Sequence, residues 1–136
     1  MNEKKQKTLL REILEIVAVI GVAYIFYFSI GIALGTSTPM FSVVSESMEP
    51  TLHVGDLVIV KSEATYKERD IVVYMRGSMP IIHRIIDVRS DGFIIKGDNN
   101  PVPDPGIVTK SQIVGKSIAA FPVLGFPRFL LFKIGV

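Results

Sequence analysis

Residues 70–96 read DIVVYMRGSMPIIHRIIDVRSDGFIIK, and this stretch decides the fold. It divides into three runs rich in Val and Ile, namely Asp70–Met75, Ile81–Arg89 and Gly92–Lys96. Ser78-Met79-Pro80 and Ser90-Asp91-Gly92 separate them. β-Branched side chains suit a pleated backbone, and Asp-Gly between two such runs favours the tight turn of a hairpin. The same texture continues outward in Met40–Ser45, Asp56–Ser62 and Ile113–Phe121, with Glu49-Pro50, Val54-Gly55-Asp56 and Gly97-Asp98-Asn99-Asn100-Pro101 as breaks. The expected fold class is mainly β, a compact antiparallel β-domain. No helical period of useful length and no internal repeat follows Pro39.

Ahead of this domain the pattern is different. Ile16 to Leu34 is a run of uncharged, mostly apolar residues, and Ile13 and Leu14 extend it past Glu15. About 20 residues at 1.5 Å rise cover a hydrocarbon core of roughly 30 Å, so the run is long enough to span a bilayer. It is apolar all round, unlike a core helix with one polar face. It is also longer than the apolar part of a cleavable signal, and Gly35-Thr36-Ser37-Thr38-Pro39 is a poor cleavage site. Lys4, Lys5, Lys7 and Arg11 outnumber Glu3 and Glu12, which places the N-terminus in the cytoplasm and the β-domain outside. The division expected is a cytoplasmic N-terminus (1–12), a single transmembrane anchor (13–35), an extracytoplasmic β-domain (36–121) and an apolar tail (122–136). The tail carries Pro122, Pro127, Arg128 and Lys133, and suits either a segment on the membrane surface or core packing.

Composition narrows the chemistry. The 136 residues make room for one domain plus a short segment, and 49% of them are hydrophobic. A net charge of +2 and the lack of a basic run interleaved with aromatics speak against a nucleic-acid partner. There is no cysteine, hence no disulfide, no Cys-ligated zinc and no thiol nucleophile.

Three clusters could carry chemistry. Ser45-Glu46-Ser47-Met48-Glu49-Pro50-Thr51 puts serine hydroxyls at a strand end before a Pro-directed turn. His83 interrupts an apolar strand and, in strict alternation, shares a face with Ile81 and Ile85. Gly97-Asp98-Asn99-Asn100-Pro101-Val102-Pro103-Asp104 holds two acids on a proline-stiffened loop. Each alone is ordinary turn or core chemistry, and His53 reads as a solvated turn residue. Together they supply the parts of a nucleophile, base and orienting carboxylate. Residue types leave open whether these groups meet in space. A cation site from Asp98, Asn99 and Asp104 lacks EF-hand spacing, and a metallohydrolase built on His83, Asp98 and Asp104 lacks a paired-His motif.

In this order and behind an N-terminal anchor, the clusters resemble the type I signal peptidases, in the archaeal and endoplasmic-reticulum branch that uses histidine where the bacterial branch uses lysine. Ser45 to Thr51 is similar to the nucleophile box, Gly55 to Val60 to the following strand, His83-Arg84-Ile85 to the base-bearing box, and Gly97 to Asn100 with Asp104 to the final box with its two aspartates. The resemblance implies a β-domain of signal peptidase type and a membrane-bound serine endopeptidase, needing no metal or cofactor. Its partners would be signal-peptide-bearing preproteins cut after small residues, the lipid membrane, and secretion machinery or accessory subunits. It also implies Ser47 as nucleophile and His83 as base, Asp104 as first choice for the histidine's partner and Asp98 as second or supporting, and an oxyanion hole from the Ser47 N–H and the Ser45 hydroxyl. The alternative is a non-enzymatic, membrane-tethered β-module that scaffolds a secretion complex.

Overall fold

The computed structural model describes residues 3–122 and 124. The expected tail at 122–136 therefore lies outside the described residues except at positions 122 and 124.

Helix α1 runs from Glu3 to Leu34 and is exposed along almost all its length. It begins well before the apolar run. Residues 3–12, which fall within the segment expected as the cytoplasmic N-terminus, extend the helix, as their Glu, Lys, Gln and Leu content favours. Thirty-two helical residues reach about 48 Å at 1.5 Å each, longer than the roughly 30 Å of a hydrocarbon core. The helix closes in a Schellman motif: Thr36 N–H bonds to Gly31 O at 3.0 Å and Gly35 N–H to Ile32 O at 3.2 Å, with Gly35 at φ 65. The Leu34 carbonyl accepts the Ser62 N–H at 2.9 Å, which ties the helix end to the sheet.

Among the described residues the sheet has six strands: β1 (Met40–Ser42), β2 (Leu57–Lys61), β3 (Ile71–Arg76), β4 (Met79–Arg89), β5 (Gly92–Lys96) and β6 (Ile113–Phe121). Their order is β1-β2-β6-β3-β4-β5, and every pairing is antiparallel. All six expected strands form, β5 and β6 with the expected ends and the other four with shifted ones. β4 starts at Met79 rather than Ile81, because the chain turns at Gly77-Ser78, where Gly77 takes φ 62. Pro80 is tolerated because β5 pairs with β4 only from Arg84 onward, so among the described residues the side of Pro80 away from β3 has no strand to bond. β1 ends at Ser42, although the chain stays extended to Ser45. The β4–β5 hairpin turns on Ser90-Asp91. Gly92 itself opens β5 at φ 150, where a Cβ would lie 2.5 Å from Val108 O.

β3 is the centre of the fold. Val72, Val73 and Tyr74 are all buried, so the strand is covered on both faces. Val72 and Tyr74 pack with Tyr66, Ile85, Phe93 and Ile95. Val73 packs on the other side with Phe41, Met48, Leu52, Val58 and Val60. The second cluster holds the residues around the nucleophile-box turn.

Candidate active site

The Ser45–Thr51 segment is fixed from below. Val43 N–H donates to Asp56 O and Gly55 N–H to Val43 O, each at 2.9 Å, which holds the chain after β1 against the β2 side. The backbone then folds into a 3-10 turn, Glu46–Met48, and the Met48 side chain, 1% exposed, plugs the core beneath it. Ser47, one residue earlier, is thereby turned away from the core and only partly buried. From the other side, Asn99 N–H donates to Ser47 O at 2.9 Å and Asn99 Nδ2 to Glu46 O at 3.1 Å. This approach requires Gly97, since a Cβ there would lie 2.6 Å from Ser47 O.

His83 lies in β4 opposite Val72, and packs on the Ile81 and Ile85 side as strict alternation requires. It stands one residue before β5 joins β4, so the sheet opens beside it and leaves room for the serine turn. His83 is buried, 6% exposed. Its Nε2 is 3.0 Å from Ser47 Oγ, and its Nδ1 is 2.6 Å from Asp104 Oδ2. With Nδ1–H donating to the carboxylate, Nε2 is the acceptor for the serine hydroxyl. The Ser45 Oγ lies 3.1 Å from Ser47 Oγ.

The two aspartates separate cleanly. Asp104, with its side chain 8% exposed, is held by its own N–H on Ile95 O at 2.8 Å, which carries the loop back over the end of β5. Asp98 does not reach the histidine. Arg84 grips it in a fork, Nε to Oδ1 at 2.8 Å and a terminal nitrogen to Oδ2 at 2.6 Å, and the Thr51 hydroxyl donates to Oδ2 at 2.6 Å. The Arg84 hydrogen bonds hold the Asp98 carboxyl below the usual carboxylate range, against the opposing effect of its partial burial. Asp98 thus links β4, the turn after Ser47 and the final loop. Of the residues singled out in sequence, Ser47, His83, Asp104 and Ser45 meet, and Asp98 braces them from outside. His53 is a turn residue whose N–H donates to Asp56 Oδ2.

Sequence reasoning passed over Tyr74 and Arg76, and quoted Arg84 and Thr51 as members of their boxes without giving them a role. Tyr74 reads as one more apolar strand residue, yet its hydroxyl donates to Asp104 Oδ2 at 2.8 Å, and Arg76 donates to that hydroxyl at 2.6 Å. A phenol inside a Val-rich strand is itself a signal, because a buried hydroxyl needs a partner.

A cleft of about 470 Å³ opens beside Ser47 and His83. One wall is the chain from Phe41 to Ser45, and the other is the start of β4 from Met79 to Ile82. The β4 wall is a strand edge unpaired on the cleft side among the described residues, since this part of β4 bonds only to β3.

Comparison with known proteins agrees with this architecture. The model of the family described as peptidase S24-like matches residues 19–118. The chain is 32% identical to the signal peptidase complex catalytic subunit of Scheffersomyces stipitis, covering 100% of this chain and 92% of that protein. It is 28% identical to a catalytic subunit of the same complex in Homo sapiens (96% and 77% covered) and 28% identical to that of Metarhizium acridum (88% and 79%). A non-enzymatic scaffold is not favoured by relatives that are catalytic subunits. The chain belongs to the peptidase S24-like family, as a serine peptidase of the type I signal peptidase kind in the endoplasmic-reticulum and archaeal branch.

Proposed function

We propose that this membrane-associated protease removes signal peptides with Ser47 as nucleophile, His83 as general base and Asp104 as the group that orients the base. The observation that carries this assignment is the unbroken chain Ser47 Oγ, His83 Nε2, His83 Nδ1, Asp104 Oδ2, with links of 3.0 and 2.6 Å. Ser47 Oγ attacks the scissile carbonyl as its proton passes to His83 Nε2. Asp104 keeps the imidazole in the right tautomer and balances the imidazolium. His83 then gives the proton to the departing amine, and water releases the acyl group by the same route.

The oxyanion of the tetrahedral intermediate would meet the Ser45 hydroxyl and the Ser47 N–H. That amide lies in the first turn of the 3-10 segment, where backbone donors lack partners within the helix. One such donor typically contributes about 10²–10³ in rate.

The substrate would lie extended in the cleft, bonding through its backbone to the open edge of β4. The apolar helix would hold the enzyme in the same bilayer as the substrate's signal, with residues 13–35 spanning and 36–121 forming the peptidase domain outside. The basic residues before the span favour a cytoplasmic N-terminus at the cell membrane. Accessory subunits are a further expectation, drawn from relatives that are parts of a signal peptidase complex.

The test is cleavage of a membrane-inserted preprotein by detergent-solubilised enzyme. Wild type should trim the signal after a small residue, and Ser47→Ala and His83→Ala should be folded and inert. Cutting by either variant would refute the assignment. Ser45→Ala should lower turnover while leaving peptide binding nearly intact, and unchanged turnover would remove Ser45 from the mechanism.

A further inference from the structure

The Asp104 carboxylate has a second set of partners that the serine–histidine–aspartate chain does not use. Tyr74 lies in β3 two residues from Val72, the cross-strand partner of His83, so its side chain rises from the same face as the base. It is 1% exposed. Its hydroxyl donates to Asp104 Oδ2 at 2.8 Å, the same oxygen that takes His83 Nδ1 at 2.6 Å. Arg76, two residues on and again on that face, donates to the Tyr74 hydroxyl at 2.6 Å and has its guanidinium 3.7 Å from Asp104 Oδ2. The same guanidinium lies 5.6 Å from the centroid of the Tyr74 ring.

A hydroxyl has one proton to give. Arg76 fills its acceptor side, so the Tyr74 proton is left to point at the carboxylate. Burial, reinforced by the Asp104 carboxylate, pushes the Tyr74 hydroxyl above the ordinary tyrosine range, so it stays a donor at working pH. The other charged groups near the pair are committed elsewhere: Arg84 of β4 to Asp98, and Lys96 of β5 to Asn100 O at 2.6 Å. On the facing turn Ser45 and Ser47 carry no charge and Glu46 is exposed, and Lys116 of β6 pairs with Asp70.

We infer that Tyr74 and Arg76 are positioning residues of this peptidase: they aim the Asp104 carboxylate at His83 and moderate its basicity. The inference rests on the assignment of His83 as base and Asp104 as its partner. A carboxylate relieved of the Tyr74 donor, or of the nearby cation, stabilises the imidazolium more strongly. The free base is then scarcer at neutral pH, and the carboxylate is also less well aimed.

The experiment is the pH profile of kcat/KM for full-length enzyme in detergent, with thermal unfolding as the folding control. Tyr74→Phe keeps the ring and should raise the apparent pKa of the acid limb by about half to one unit, with neutral kcat/KM about 5- to 30-fold lower. Arg76→Gln should move the limb the same way by less, Arg76→Lys should restore most of it, and Arg76→Gln should add little in the Tyr74→Phe background. An unmoved acid limb, or a loss equal at every pH, would overturn the inference, because a merely structural defect changes the amount of active enzyme and not its titration. Ser47→Ala and His83→Ala are run alongside. If they are inert while Tyr74→Phe leaves the limb in place, only the positioning role fails. If they still cut, the underlying assignment fails and the inference falls with it.

Discussion

Gly97→Ala is the sharpest test of how the serine is held. The added Cβ would lie 2.6 Å from Ser47 O and 2.7 Å from Asn100 Nδ2, where real Cβ atoms keep at least 3.0 Å. The Asn100 amide is a side chain that can swing aside, but Ser47 O is backbone. The serine turn must therefore retreat by at least about 0.4 Å, and to ordinary contact by nearer 1 Å, against the Met48 plug beneath it. That retreat lengthens the Asn99 N–H bond to Ser47 O, now 2.9 Å, and opens the 3.0 Å link from Ser47 Oγ to His83 Nε2. A misplacement of about 1 Å at a reacting group can lower the rate on the order of 10²-fold, so kcat should fall by about 10- to 100-fold. The stability cost should be about 1–3 kcal/mol, the usual range for overpacking. The assay is single-turnover cleavage of a preprotein, with thermal unfolding to correct for folded fraction. Turnover within about twofold of wild type, in a variant whose fold is intact, would refute the view that this backbone contact sets the position of Ser47.

Other outcomes follow from separate parts of the molecule. Asp98 titrates below the usual carboxylate range in the folded chain, so its pair with Arg84 contributes stability above the unfolded-state pKa. That contribution is lost as pH falls through the lower folded value. Asp98→Asn should cost about 1.5–3 kcal/mol near neutral pH and flatten the acid end of the pH–stability curve, and denaturant titrations from pH 2 to 7 check both. Gly92→Ala forces a side chain onto φ 150 and against Val108 O, and should cost about 1–3 kcal/mol with activity per folded molecule kept; an unchanged melting temperature would contradict the strain. Deleting residues 1–35 should depress processing of membrane-inserted precursors far more than cleavage of short soluble peptides, because the shared bilayer supplies the effective concentration. Equal losses on both substrates would count against the anchor's role.

Some of this was legible before any fold was known. Six strands, the apolar helix and three chemical clusters depend on local pattern: runs of β-branched residues, an unbroken apolar stretch, and serine, histidine and aspartate among turn formers. Local pattern is carried by neighbours in the chain, and it survives as text. The strand ends were less legible, because where β4 begins depends on Gly77 turning the chain and on β5 arriving only at Arg84.

Tertiary structure alone decided which aspartate faces His83. Both acids sit on one short loop with similar neighbours, so sequence ranks them only by resemblance. The choice is made by two long-range contacts. Arg84 captures Asp98 across the β4–β5 end, and the bond from Asp104 N–H to Ile95 O folds the loop so that Asp104 reaches the ring. Tyr74 and Arg76 were hidden for the same reason. Their place beside Asp104 comes from strand register and loop closure, which bring together atoms about thirty residues apart in the chain. A sequence records which donors and acceptors exist. Which of them meet is settled by the packing that buries them, where an unpartnered polar group costs too much to be left alone.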